Sequence, residues 1–130
     1  MKQVLFLLFF ISFQGFSQNT IKFIEQDGFY EQEWEIQTKD LGKMTYEDAK
    51  KACSELGKGW GLPNHQTMKF LYKNSDKIGG FVEDFYWEDS ERNGFGMLSI
   101  FDFYDGSTEM LNKPNSEVHY VRAIRKVVKK

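Results

Sequence analysis

The order of elements legible in this 130-residue chain predicts an α+β domain in which two helices pack on a small twisted antiparallel sheet with long loops. Three observations predict it. The segment from Ile21 to Asp40 is rich in β-forming residues; two capped helical patterns occupy the middle; and from Phe85 onward short aromatic and aliphatic runs are punctuated by turn signals.

Ahead of that domain, Lys2 precedes an unbroken apolar run from Val4 to Ile11, and Gly15-Phe16-Ser17 supplies small residues at the two positions a signal peptidase inspects. This is the grammar of a cleavable secretory signal over residues 1–17. A spanning helix needs about 20 apolar residues, more than this run provides before Ser12 and Gln14, so a permanent anchor is the weaker alternative and no membrane insertion is expected after cleavage. No cysteine follows the run to take a lipid. The expected address is exported: periplasmic, cell-surface or extracellular.

Residues 18–40 are expected to form one or two strands of the same domain, broken at Asp27-Gly28, with Phe23, Phe29, Tyr30, Trp34 and Ile36 spaced by polar residues. The domain proper spans 41–130. Thr45 followed by Asp48 is a capping-box pattern in which hydroxyl and carboxylate satisfy free backbone donors, and Tyr46, Ala49, Cys53 and Leu56 then recur at helical spacing until Gly57 stops the helix. Pro63 fixes the entry to a second helix with Asn64 as N-cap and Met68, Leu71 and Tyr72 inside; it ends near Asn74, before the glycine bend at Gly79-Gly80. Phe85 to Trp87, Phe95 to Phe103 and Val118 to Val128 read as strands, with a tight turn at Asp105-Gly106 and with Val121, Ala123 and Ile124 inward.

Composition excludes several functions. The 19 acidic and 17 basic residues give a net charge of −2, and loss of Lys2 with the signal makes the balance one unit more acidic. That predicts no electrostatic grip on nucleic acid or anionic lipid. With a single cysteine no intramolecular disulfide can form, and Cys53 reads as a small buried hydrophobe. His65 and His119 stand in no metal-ligand spacing with each other or with Cys53, and no nucleophile-elbow, phosphate-loop or zinc-protease motif is present. No catalytic residue and no cofactor are therefore expected. The ligand-binding candidates are Trp87, Glu88, Asp89 and Glu91, where clustered carboxylates beside an aromatic offer acceptors to sugar hydroxyls or, with poor support, to Ca²⁺. The plainer alternatives are a solvated loop that keeps a sheet edge soluble and core packing for Trp60 and Trp87. Arg122 and Arg125 alternate with apolar positions on the last strand, which places them on its polar side or at its end, in an ion pair with Asp102 or Asp105 or free to capture a ligand.

Six segments in order, Met44 to Ala49, Gly59-Trp60-Gly61-Leu62-Pro63-Asn64, Ile78 to Phe81, Tyr86 to Glu91, Phe101 to Gly106 and Val121 to Arg125, together resemble the Lcl C-terminal domain family. These are bacterial domains of unknown function with a C-type-lectin-like fold. The resemblance covers roughly residues 41 to 127, and it implies structural roles for Thr45, Trp60, Leu62, Pro63, Gly79, Gly80, Asp105, Gly106, Arg122 and Arg125. Four positions depart from the family's usual text: Gly61 replaces an arginine, Glu88 and Asp89 replace two serines, and Ala123 replaces a cysteine. In members that carry it, that cysteine is placed to bridge to the helix holding a residue like Cys53. The resemblance implies an exported, non-enzymatic module that recognises a glycan or protein through its loops, approximately Gly80 to Gly96 and Tyr104 to Glu117. Alternatives are a structural accessory of an envelope or surface assembly, or an enzyme on the same scaffold. The fold's oxygen-using members need paired cysteines, and Ca²⁺-binding lectins carry a Glu-Pro-Asn signature where Lys113-Pro114-Asn115 stands here. Adhesins in the family bind polyanionic glycans, but the acidic loop turns the expectation toward protein or a neutral glycan.

Overall fold

The computed structural model describes residues 19–91, 96–112 and 115–128. The expected signal, the Phe95 end of one strand, Lys113, Pro114 and the Lys129-Lys130 tail lie outside them. The described residues form a small α+β domain with three helices and two sheets, one antiparallel and one mixed.

The chain opens with a hairpin of β1 (Thr20–Asp27) and β2 (Tyr30–Gln37), closed at Asp27 opposite Tyr30 across Gly28 and Phe29. Gly28 takes φ 63°, a conformation a tight hairpin requires at its first central residue. The break expected at Asp27-Gly28 is where the hairpin turns. After β3 (Lys43–Met44), helix α1 (Tyr46–Ser54) starts at Thr45, whose Oγ1 accepts from the Asp48 amide. Helix α2 (His65–Lys73) starts at Asn64, whose Oδ1 accepts from the Thr67 amide, and a single turn, α3 (Ser75–Ile78), runs into the glycine pair. Then come β4 (Phe85–Trp87), β5 (Leu98–Asp102), β6 (Thr108–Leu111), β7 (His119–Tyr120) and β8 (Ile124–Lys126).

The sheets are ordered β1-β2-β8 and β3-β7-β4-β5-β6, with β4 and β7 parallel. The single last strand and the all-antiparallel pairing expected from sequence are thus corrected. The chain from His119 to Lys126 crosses from the larger sheet to the smaller, and Val121, Arg122, Ala123 and Ile124 are all buried at the crossing. Four consecutive buried residues cannot alternate in and out as one half-exposed strand does.

Two clusters make the core. One gathers Cys53, Trp60, Trp87, Leu98 and Ile100 with Tyr46 and Ala49 of α1; the other gathers Trp34, Ile36, Tyr86, Phe101 and Phe103 with Met68 and Leu71 of α2. Adjacent residues on β4 and β5 fall into different clusters, so the larger sheet is covered on both faces, by α1 on one side and by α2 with the smaller sheet on the other. Trp34 Nε1 and Thr67 Oγ1 both donate to Glu25 Oε1, at 2.8 and 3.1 Å, which staples the first hairpin to α2.

Candidate functional site

The carboxylate loop does not converge on a common point. Trp87 is fully buried, its indole Nε1 donating to the Met44 carbonyl at 2.7 Å and its ring edge-on to Tyr46, so it offers no face to a ligand. Glu88 is 1% exposed and turns inward, where its Oε2 lies 2.8 Å from Nδ1 of His65 at the first position of α2. Asp89 is half-buried, its amide tied to the Pro63 carbonyl and its Oδ1 accepting from the Glu91 amide. Glu91 alone is exposed, and it pairs with Lys50 on α1 at 2.6 Å. Among the described residues no group of three or more His, Cys, Asp or Glu side chains is arranged to hold a metal ion.

Glu88 and His65 form a carboxylate–imidazole pair that sequence inspection missed, because 23 residues separate them. Glu88 engages Nδ1 of the exposed His65. Thr108 Oγ1 stands 3.3 Å from the same Nδ1, and Glu88 Oε1 has no protein hydrogen-bond partner among the described residues. The pair orients an imidazole, and the Thr108 hydroxyl meets the nitrogen already engaged by Glu88.

The arginines part company. Arg122 is fully buried, contrary to its expected place on the polar side. Its Nε donates to Asp40 Oδ1 at 3.0 Å, its Nη1 donates to the carbonyls of Gln37 and Gly79, and its guanidinium lies 3.9 Å from the centre of the Phe81 ring. Tyr86 donates its hydroxyl to the other Asp40 oxygen, and burial, with the Asp40 contact second among the upward causes, drives its phenol far above the ordinary tyrosine range. Arg125 pairs with Glu35 through Nε and Nη2 and stacks 4.8 Å from the centre of the Trp60 ring. The expected partners are engaged elsewhere: Asp102 Oδ1 accepts from the Tyr104 amide, and Asp105 Oδ1 from the Ser107 amide and hydroxyl. Both expected ion pairs are thus replaced by pairs reaching back to the N-terminal hairpin and the loop after it, a distance along the chain that local spacing cannot reveal. Trp60 and Pro63 are buried and Leu62 half-buried, so the motif they share packs rather than projects.

Beside Arg125 the outer face of the smaller sheet is concave. Cross-strand pairing sets Lys22 opposite Glu35 and Glu35 opposite Arg125, one row across three strands. The loop at Lys58 and Gly59 flanks the row, and Lys126 with Val127 and Val128 closes it, leaving a groove of about 540 Å³. Lys22, Lys58 and Arg125 surround Glu35 there, while the Lys126 ammonium turns to the other face, over the Trp34 ring. The groove fits this closely because Gly59 has no side chain: a Cβ on it would lie 3.2 Å from Arg125 Cγ. Burial works against the Glu35 charge, but the Arg125 and Thr20 hydrogen bonds and the Arg125 and Lys22 charges outweigh it and hold the carboxyl below its ordinary value.

No helix among the described residues is long and apolar enough to cross a membrane. In comparison with known proteins, the chain matches no family model and no curated protein.

Proposed function

We propose that this chain is an exported, non-enzymatic binding module on a C-type-lectin-like scaffold of the Lcl C-terminal domain kind, recognising a glycan or a protein. The observation that supports the reading is the cation-flanked groove on the outer face of the β1-β2-β8 sheet, a ready concavity with charge excess. The groove lies apart from the acidic loop: none of Glu88, Asp89 and Glu91 lines it, and Glu91 is held instead by Lys50 on α1. The loop's charge therefore no longer argues against an anionic ligand. Glycan arrays probed with the protein, with and without Ca²⁺, and with a Lys22→Glu/Lys58→Glu variant test the proposal. Saturable binding supports it. Turnover of an arrayed glycan that disappears in His65→Ala, the residue on which an enzymatic alternative would rest, overturns it.

A further inference from the structure

Among the described residues the two sheets end in four outer strands, and three of these are short: β3 has two residues, β6 four, and β8 three, with Ile124 bridged to Gly61. The fourth, β1, runs eight residues from Thr20 to Asp27, paired to β2 without a bulge and holding no proline. Short strands, bulges, prolines and unanswered charges are what keep a sheet edge from adding strands, and β1 carries none of them. The one charge on its outer face, Lys22, lies opposite Glu35, and the inward Glu25 is held by Trp34 and Thr67.

Hydrogen bonding fixes which backbone groups of β1 are free. In β2 the Glu33 carbonyl accepts from Val127 and the Gln37 amide donates to Ala123, so the odd-numbered residues of β2 turn to β8. The even-numbered ones turn to β1, where they meet its odd-numbered residues, as the Thr38 amide just beyond β2 meets the Asn19 carbonyl. Thr20, Lys22, Ile24 and Gln26 therefore aim their N–H and C=O groups away from the sheet. Their side chains share its outer face, where Ile24 is 53% exposed.

A second copy of this strand matches that edge. Turned antiparallel about Phe23, it sets Lys22 opposite Ile24 of the other copy and Thr20 opposite Gln26, so all four free residues of each strand pair. Paired residues are both even or both odd, so the two outer faces continue as one surface. No like charges stand opposite each other, the Lys22 stem covers the exposed Ile24, and Phe23 meets its equivalent as an aromatic cross-strand pair. We propose that β1 is a self-association edge through which two copies of this chain join their three-stranded sheets into one antiparallel sheet about a twofold axis. This does not depend on what the groove binds, because Ile24 is not among its lining residues.

Sedimentation velocity across a hundredfold concentration range, on the wild type and on Ile24→Lys and Ile24→Glu variants whose folding circular dichroism checks, tests this. The wild type is expected to show reversible monomer–dimer exchange. Ile24→Lys sets a lysine opposite Lys22 of the other copy and is expected to weaken association at least tenfold; within its own sheet it faces Glu33, so the fold is kept. Ile24→Glu loses the same apolar side chain but faces Lys22 of the other copy, and is expected to associate at least tenfold more tightly than Ile24→Lys. Hydrogen exchange is expected to be slowed at the amides of Lys22, Ile24 and Gln26 in the wild-type dimer. Monomer at every concentration overturns the inference, leaving the edge to a strand of some other protein. A dimer that Ile24→Lys leaves intact, or that both variants weaken equally, overturns it as well, because either outcome moves the contact off this register.

Discussion

Replacing Arg122 with methionine keeps most of the side chain's length and apolar stem while removing its charge and donors. In the native protein the guanidinium satisfies Asp40 and the carbonyls of Gln37 and Gly79, all within 3.0 Å, while Asp40 retains only the Tyr86 hydroxyl when it is gone. Removing one partner from a buried ion pair costs about 3–5 kcal/mol, because the remaining charge stays out of water. The Asp40 side chain is 12% exposed, so some water reaches it and the lower half of that range applies. The methionine also retains part of the contact with Phe81, which further limits the loss. At roughly 4 °C per kcal/mol for a chain of this size, the melting temperature should fall by about 12–16 °C. Denaturant unfolding followed by tryptophan fluorescence gives the free energy directly. The double variant Arg122→Met/Asp40→Asn should recover about 1–3 kcal/mol relative to the sum of the two single losses, since it leaves no orphaned charge. A loss below about 1 kcal/mol for Arg122→Met, or a cycle additive within about 0.5 kcal/mol, would refute the argument that this pair joins the sheets.

Three further outcomes are expected. Gly80→Ala puts a methyl 2.3 Å from the Thr38 carbonyl oxygen at a φ of +79°, so backbone strain and overpacking together should cost about 2–5 kcal/mol; wild-type stability in denaturant titration would count against the geometry. Cys53 is fully buried, and burial pushes its thiol up to about 12, so a thiol-specific reagent at about pH 8 should leave the native protein unlabelled and label it fully in denaturant; rapid native labelling would contradict the burial. Because the folded Glu35 carboxyl lies below its unfolded value of 4.5, its contribution is complete above that pH and is lost as pH falls through the lower folded value; Glu35→Gln should remove this part of the acid limb of stability, and an unchanged limb would show the pair to be idle.

What was legible in the sequence was local. Thr45 and Asn64 cap the helices they were expected to cap, and Asp27-Gly28 breaks the opening strands where the hairpin turns, because each signal acts within about four residues. From that turn alone Lys22 can be placed opposite Glu35. Arg125 cannot, because it joins the row from 90 residues away. The same distance hid the partners of Arg122, and it hid His65 from Glu88, which had been expected to face outward. Residues 98–102 carry no alternation because the strand is buried on both faces, so pattern could not say which side chain faces which layer. The groove was missed for a related reason: Lys22, Lys58 and Arg125 look like scattered surface cations until the fold assembles them.

The crossing of residues 119–126 from one sheet to the other has a consequence for how the protein is made. The first hairpin and the β4-β5-β6 meander can pair locally as soon as they are synthesised, but Arg122 bonds residues 82 and 85 positions earlier, and β8 completes the smaller sheet from the same late segment. Closing such separations is slow and comes last. Joining of the two sheets therefore waits on residues 119–126, whatever pairing the hairpin and the meander have reached before it.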